Sequence, residues 1–351
     1  MKLARSRFIG ASVTALAVSA LVAGCGTVDA GGGSAGGEDG DKFRIVTVSK
    51  VEGITWFQRM SEGVDMFNDA YGDEVEAYQT GPAEGDPALQ VQIVEDLIAQ
   101  NVDAIIVVPN DPIGIGPVLE RARDAGIVVG VTEATQLVGT ESIDFDIESF
   151  DNADFGVGFA KGLAEAMGGE GEYVTSVGNL TSESHLLWLE AANNYIAENH
   201  PDMVLVEPTP YENNNDDQQG RELADELLST YPNLKGYLTT TPSGGSGMAS
   251  ALRDKGRTDV ANVSLTLPSV AGPDLEDGYM DFGQGWDPAG WGWALNSVAL
   301  SILKGETVAT GDDLAWELGG YESIVVDGQL ILGNDIQPYI PGQFSDGNYP
   351  F

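Results

Sequence analysis

The chain has 351 residues, of which 42% are apolar, enough to build packed cores and to exclude a disordered chain. Lys and Arg number 16 against 55 Asp and Glu, and the formal net charge of −39 repels phosphate backbones, which excludes nucleic-acid binding. One cysteine excludes a disulfide framework and any multi-thiolate zinc site, and two histidines leave little for histidine-based metal catalysis, so neither metal nor cofactor is expected.

Lys2, Arg5 and Arg7 precede an apolar run from Ala11 to Val22 and then small residues, the order of a signal peptide. The run is shorter than the roughly 20 apolar residues that a spanning helix needs. The sole cysteine stands at its end, in Leu21-Val22-Ala23-Gly24-Cys25, which resembles the lipobox of bacterial lipoproteins. An ordinary secretory signal with an incidental cysteine is the competing reading. The resemblance implies cleavage after residue 24, lipidation of Cys25 and anchorage to the outer face of the cell membrane. Acyl chains hold there because each buried methylene contributes about 0.8 kcal/mol. The three basic residues leave with the signal, taking the net charge from −39 to −42. Residues 25–41 are Gly-rich without apolar periodicity and read as a flexible tether. At roughly 100–200 residues per domain, the rest is long enough for two.

From Phe43 onward, short apolar runs alternate with amphipathic stretches. The pattern predicts strands at Phe43–Ser49, Glu74–Gln79, Asp103–Val108 and Ile127–Val131. Helices are predicted at Trp56–Ala70, Pro87–Gln100 and Ile113–Ala125, the last closed by Gly126. The continuous apolar run at 103–108 marks a strand buried on both faces, as in a parallel sheet covered on both sides. The alternation then repeats. Helix Asp151–Met167, strand Glu172–Val177, helix Ser184–Asn199, strand Met203–Glu207 and helix Asp216–Thr230 come first. Strand Gly236–Thr239, helix Gly247–Lys255 and strand Asn262–Leu267 complete the second series. A strand at Tyr279–Gly283, a long helix at Ala289–Leu303 and a hairpin within Glu322–Leu332 around Asp327-Gly328 follow. The fold class is therefore α/β, with two doubly wound parallel-sheet lobes joined by a multi-strand hinge. Elements beyond two complete lobes imply more than one crossing between them. The N-terminal lobe is expected from 43–133 plus about 287–320, and the C-terminal lobe from 134–286 plus about 321–351.

Open α/β sheets bind ligands beyond the carboxyl ends of their strands, and two facing lobes enclose a cleft that a hinge can close. After the first strand stands Lys50, followed by Trp56 and Phe57. A cation beside adjacent aromatics suits a sugar-like ligand, the ring faces stacking on C–H groups while the ammonium donates to oxygens. The alternative is that Trp56 and Phe57 are core residues of a first helical turn. Thr132 and Glu133 follow the fourth strand, where a carboxylate either accepts from ligand hydroxyls or is solvated. Ser184 and His185 stand at a predicted helix start, where the imidazole either donates to a ligand or caps locally. Thr240 and Pro242 lie in a Gly-rich turn that is neither a P-loop nor a nucleophile elbow. Its reading is polar contact with a neutral ligand, or a tight turn without one. Trp286 offers a second aromatic platform and Asp287 an acceptor for two hydroxyls, while Trp291 and Trp293 read as packing residues. Asp144-Phe145-Asp146-Ile147-Glu148 lacks the EF-hand glycine and is not a calcium loop.

These residues together resemble a substrate-binding lipoprotein of a bacterial ABC sugar importer, of the ribose-binding type (type I periplasmic binding proteins), across about Lys42 to Phe351. The resemblance rests on Lys50 with Trp56-Phe57, on Gln90–Pro112, on Trp188 with Glu198-Asn199-His200-Pro201, on Phe282 to Asp287 and on the terminal Tyr349-Pro350-Phe351. It is closest to the rhamnose-binding and furanosyl-autoinducer-binding branch. By resemblance, Lys50 and Asp287 match ligand contacts. Thr132, with Glu133 beside it, falls where the branch carries an aspartate. Ser184 and His185 fall where an Asp-Gln pair stands, and Thr240 and Pro242 where Pro and Ala stand. These departures speak against the autoinducer and leave a small sugar or polyol. The resemblance implies a non-enzymatic, exported, monomeric capture protein that hands its ligand to an ABC permease. A receptor signalling to a membrane kinase is the alternative, and a hydrolase using Glu133 and Asp287 is a third.

Overall fold

The computed structural model describes residues 42–314 and 318–351; the signal, the lipobox cysteine and the tether lie outside the described residues. The first lobe begins β1 (Phe43–Val48), α1 (Thr55–Tyr71), β2 (Val75–Thr80), α2 (Pro87–Ala99), β3 (Ala104–Val107), α3 (Pro112–Asp124), β4 (Val128–Val131) and β5 (Phe145–Glu148). The second comprises α4 (Asn152–Met167), β6 (Gly171–Val177), α5 (Glu183–Asn199), β7 (Met203–Leu205), β8 (Tyr211–Glu212), α6 (Asp217–Thr230), β9 (Leu234–Thr239), α7 (Pro242–Lys255), β10 (Ala261–Leu265), α8 (Pro268–Glu276) and β11 (Phe282–Gly285). The chain then returns with α9 (Pro288–Leu303), β12 (Val325–Asp327) and β13 (Leu330–Leu332), and crosses again to β14 (Gln337–Tyr339).

The first sheet has the order β12-β13-β5-β4-β3-β1-β2, and the second β14-β11-β10-β9-β6-β7 with β8 beside β6. Among the described residues only the β12–β13 and β11–β14 pairs are antiparallel. Each lobe thus repeats one doubly wound order, reversing between its first and third strands. That reversal opens a crevice between β1 and β3 in one lobe and between β6 and β9 in the other, which is where ligands bind in such sheets.

The short strand-to-helix turns share a local device. An N-cap followed by proline stands at Asp86-Pro87, Asp111-Pro112, Thr241-Pro242 and Asp287-Pro288, and each cap side chain accepts a backbone N–H of the first turn. The cap satisfies an orphan donor while proline presets φ, so these helices start abruptly at the strand ends. Close helix pairs need missing side chains. A Cβ on Gly63 of α1 would lie 2.0 Å from Ala289 O of α9, and one on Gly156 of α4 would lie 2.3 Å from Trp188 O of α5.

Three expectations change. The first is the lobe boundary: 134–286 and 321–351 are not wholly in the second lobe, because β5 and the β12–β13 hairpin join the first sheet. β5 pairs with β4 through Gly130↔Phe145 and with β13 through Ile331↔Ile147. Its charged residues hid it from a reading based on apolar runs. The second is α7, which starts at Pro242 and not at Gly247. Glycine disfavours helix, but here Gly247 meets the backbone of Gly220 in α6 and Gly245 meets Ser264, so packing overrides propensity. The third is the late strand, which runs Phe282–Gly285, after a helix (α8) that the sequence reading left out.

One apolar cluster runs through both lobes, from Ile45, Met60 and Val64 to Leu163, Leu238 and Leu265. Separate clusters fill the outer layers beneath α2 and α3 and beneath α6 and α7.

Candidate functional site

The crossings at Glu148–Asn152, Gly285–Pro288 and Leu332–Gln337 form the hinge, and the cleft beyond it is closed. Hydrogen bonds join the lobes across it. Thr181 Oγ1 donates to Asn110 O at 2.9 Å, and Glu183 accepts from Thr135 Oγ1 at 2.7 Å and from Gln136 N at 3.0 Å. Asn179 Nδ2 reaches Gly85 O at 3.3 Å.

Four of the predicted residues converge at the centre. Lys50 follows β1 and is 3% exposed, and Glu133 follows β4 and is 8% exposed. Lys50 Nζ donates to Glu133 Oε2 in a buried ion pair. Ser184 Oγ, from the second lobe, donates to the same oxygen at 2.7 Å. Glu133 holds its place with φ of +54°, a left-handed conformation that costs an L-residue energy and that clusters at functional sites. His185 is buried one residue on, where Nδ1 accepts from Gly178 N at 3.2 Å. Burial, together with the Lys50 charge, pushes the imidazole pKa well below its ordinary value. The ring is therefore neutral at pH 7, with Nδ1 as acceptor and Nε2 carrying the remaining proton.

Aromatic residues form the wall. Trp286 stands edge-on to Trp56 with centroids 4.5 Å apart, and is packed by Trp291 at 5.3 Å and Phe150 at 5.0 Å. Among the described residues its Nε1 is a buried donor without an acceptor, as is Asn215 Nδ2. Both complement a hydroxyl oxygen. Toward solvent, Ile54 and Trp56 face Asn215, Arg221, Pro242 and Ser243 around a pocket at the mouth of the cleft.

Other predicted residues are placed differently. Phe57 is buried in the apolar core and serves packing. Thr132 is occupied structurally: its Oγ1 donates to Ile147 O at 2.5 Å and accepts from Trp291 Nε1 at 2.9 Å. Thr240 lies at the end of β9, its N bonded to Ser176 O at 3.2 Å. Asp287 caps α9 and takes a two-pronged bond from Arg59, Nε to Oδ1 at 2.8 Å and Nη2 to Oδ2 at 2.7 Å. That contact pushes the Arg59 pKa further up. Glu133 and Asp287 are each engaged in an ion pair of their own.

The sequence reading missed Asn110 and Arg59. Asn110 follows β3 as Lys50 follows β1. Its Nδ2 donates to Lys50 O at 2.7 Å, its N donates to Gln90 Oε1 at 2.9 Å, and its carbonyl receives Thr181. Applying the strand-end rule to β3 as well would have found it. Arg59 carries no such signal, because it lies within a helix and meets Asp287 only in the folded chain.

Among the described residues no group of three or more His, Cys, Asp or Glu side chains is arranged to hold a metal ion. No helix among them is long and apolar enough to cross a membrane.

Comparison with known proteins agrees with this fold. A D-ribose/D-allose-binding protein of Pseudomonas aeruginosa is 27% identical over 248 residues, covering 69% of this chain and 76% of that protein. A xylitol-binding protein of Mycolicibacterium smegmatis is 27% identical over 314 residues, covering 86% and 82%. The structure of LsrB from Clostridium saccharobutylicum in complex with AI-2 superposes with a TM-score of 0.77 at 18% identity, covering 87% of this chain and 100% of that one. The family model for a periplasmic binding protein domain matches residues 45–307. The chain belongs to the periplasmic binding protein family.

Proposed function

We propose that the protein captures a small neutral sugar or polyol in the interlobe cleft and delivers it to an ABC importer. The observation that carries this is the meeting of Lys50, Glu133 and Ser184 across the closed lobes, beside a neutral His185 and the aromatic wall. The cation is already paired with a carboxylate, so the site presents donors and acceptors without a net charge to offer an anion. That composition fits hydroxyl groups. It is supported by relatives named for ribose, allose and xylitol. The departures at Thr132, Ser184 and His185 weigh against AI-2, although LsrB shares the fold.

Export and anchoring through Cys25 rest on the sequence of residues 1–41. A Cys25→Ser variant that stays in the membrane fraction would refute the anchor. The proposed resting state is a monomer that closes on its ligand and docks to the permease. A sensory role would use the same lobes; stimulation of a reconstituted transporter's ATPase by the loaded protein separates the two.

The ligand is found by thermal shift and calorimetry with D-ribose, D-allose, L-rhamnose, xylitol and AI-2. Stabilisation by a pentose, 6-deoxyhexose or polyol is expected. A panel in which none of them stabilises the protein overturns the assignment.

A further inference from the structure

The hinge contains two buried acids that ligand capture does not use. Asp146 and Glu148 stand two apart on β5, so their side chains leave the same face of the strand. Asp146 is fully buried and neither carboxyl oxygen receives a hydrogen bond among the described residues; Glu148 Oε1 is likewise buried and unpartnered among them. Glu148 Oε2 receives Asn152 Nδ2 at 2.9 Å, and Asn152 Oδ1 receives Trp188 Nε1 at 2.5 Å. This chain of contacts leads from the first lobe, through the first crossing, to α5 of the second.

The surroundings are acidic. Glu183 faces the pair from α5, and Glu133 faces it from the end of β4. Lys50 is the cation near this cluster and is bonded to Glu133, while His185 is neutral. Tyr321, ahead of β12, approaches Glu148, Asp335 on the third crossing bonds the neighbouring Ser149 O through its N, and Asp151 and Glu190 line the groove that Glu148 borders behind the hinge. With three of their four oxygens lacking a donor, two adjacent carboxyls become mutually satisfied when they share a proton, and two buried charges there would repel both each other and Glu183 across the interface.

We propose that Asp146 and Glu148 form a proton-dependent latch on the cleft: the closed form holds a proton on this pair that the open form releases, so closure weakens as pH rises. Opening would draw Glu183 away from Thr135 and Gln136 and admit water to the groove, which solvates the carboxylates and lets the proton leave. Burial and the neighbouring carboxylates push Asp146 well above its ordinary value, and burial pushes Glu148 up to about 8. The latch therefore operates across neutral and mildly alkaline pH. Linkage of one proton gives up to tenfold in affinity per pH unit.

The test does not depend on the ligand reading. Small-angle scattering of the full-length protein without ligand is compared at pH 6 and pH 9 for the native chain, for Asp146→Asn/Glu148→Gln and for Glu183→Gln. The native protein is expected to expand at pH 9. The double variant is expected to have the same dimensions at both values, and Glu183→Gln, which keeps the pair but removes the opposing charge, to expand only at higher pH. Titration with xylitol and D-ribose at pH 7, in buffers of different ionisation enthalpy, is expected to show uptake of a fraction of a proton up to one, lost in the double variant. Scattering that is independent of pH in the native protein overturns the latch, as does a response that persists unchanged in a folded double variant. If neither sugar binds while the pH-linked expansion is present only with the pair intact, the sugar reading fails and the latch stands.

Discussion

Replacing Lys50 by Met tests whether the central ion pair is built for binding or for stability. Lys50 and Glu133 are 3% and 8% exposed, so the substitution strands a buried carboxylate with only the Ser184 hydroxyl as partner. Removing one member of a buried pair costs about 3–5 kcal/mol. Relative to the native protein, Lys50→Met is therefore expected to be about 3–5 kcal/mol less stable at pH 8. Urea unfolding followed by tryptophan fluorescence measures it. Adding Glu133→Gln is expected to recover most of the stability at pH 8. It leaves sugar affinity at least tenfold weaker, since a charged donor to a hydroxyl contributes about 1.5–3 kcal/mol. A single variant as stable as the native protein, or a double variant as unstable as the single one, would refute the reasoning.

Further outcomes follow from other contacts. Gly63→Ala and Gly156→Ala each drive a methyl group into backbone, at Ala289 and Trp188 respectively, and are expected to cost about 1–3 kcal/mol or more. Hydrogen exchange should then rise first in the lobe that carries the change. Asp287→Asn keeps the cap but weakens the Arg59 fork, and is expected to cost about 1–3 kcal/mol, read by chemical denaturation. The depressed His185 pKa means the unfolded chain takes up a proton below about pH 6.5 that the folded chain refuses, so this residue lowers stability as pH falls. Nitrogen NMR should show His185 neutral at pH 6; an imidazolium signal there would contradict the buried geometry.

The doubly wound lobes were legible because their strands are buried on both faces and carry unbroken apolar runs, as at Ile105-Ile106-Val107. β5 broke that rule. Asp146 and Glu148 face the hinge, and an apolar-run reading passes over a strand whose alternate residues are carboxylic acids. Lys50, Glu133, Ser184 and His185, named by the strand-end rule, lie together in the structure because a parallel sheet aims its carboxyl-end loops at one crevice. Thr132 and Phe57 turn into structural contacts, since position after a strand or early in a helix does not say which way a side chain turns. Arg59 could not be read at all. Its partner Asp287 is far away in sequence, and only the closeness of α1 and α9 brings them together.

The β5–β13 pairing also bears on how the protein is made. The first sheet needs Leu330–Leu332 beside Asp146–Glu148, and α9 must pack on α1 before that lobe is complete. Neither event can occur until nearly the whole chain has emerged, so the opening third of the molecule waits for the closing tenth. Contacts so distant in sequence form slowly, because the intervening loop must be closed before they reward it. Completion of the first lobe is therefore expected to be a slow step of folding, set by the arrival of the last strands.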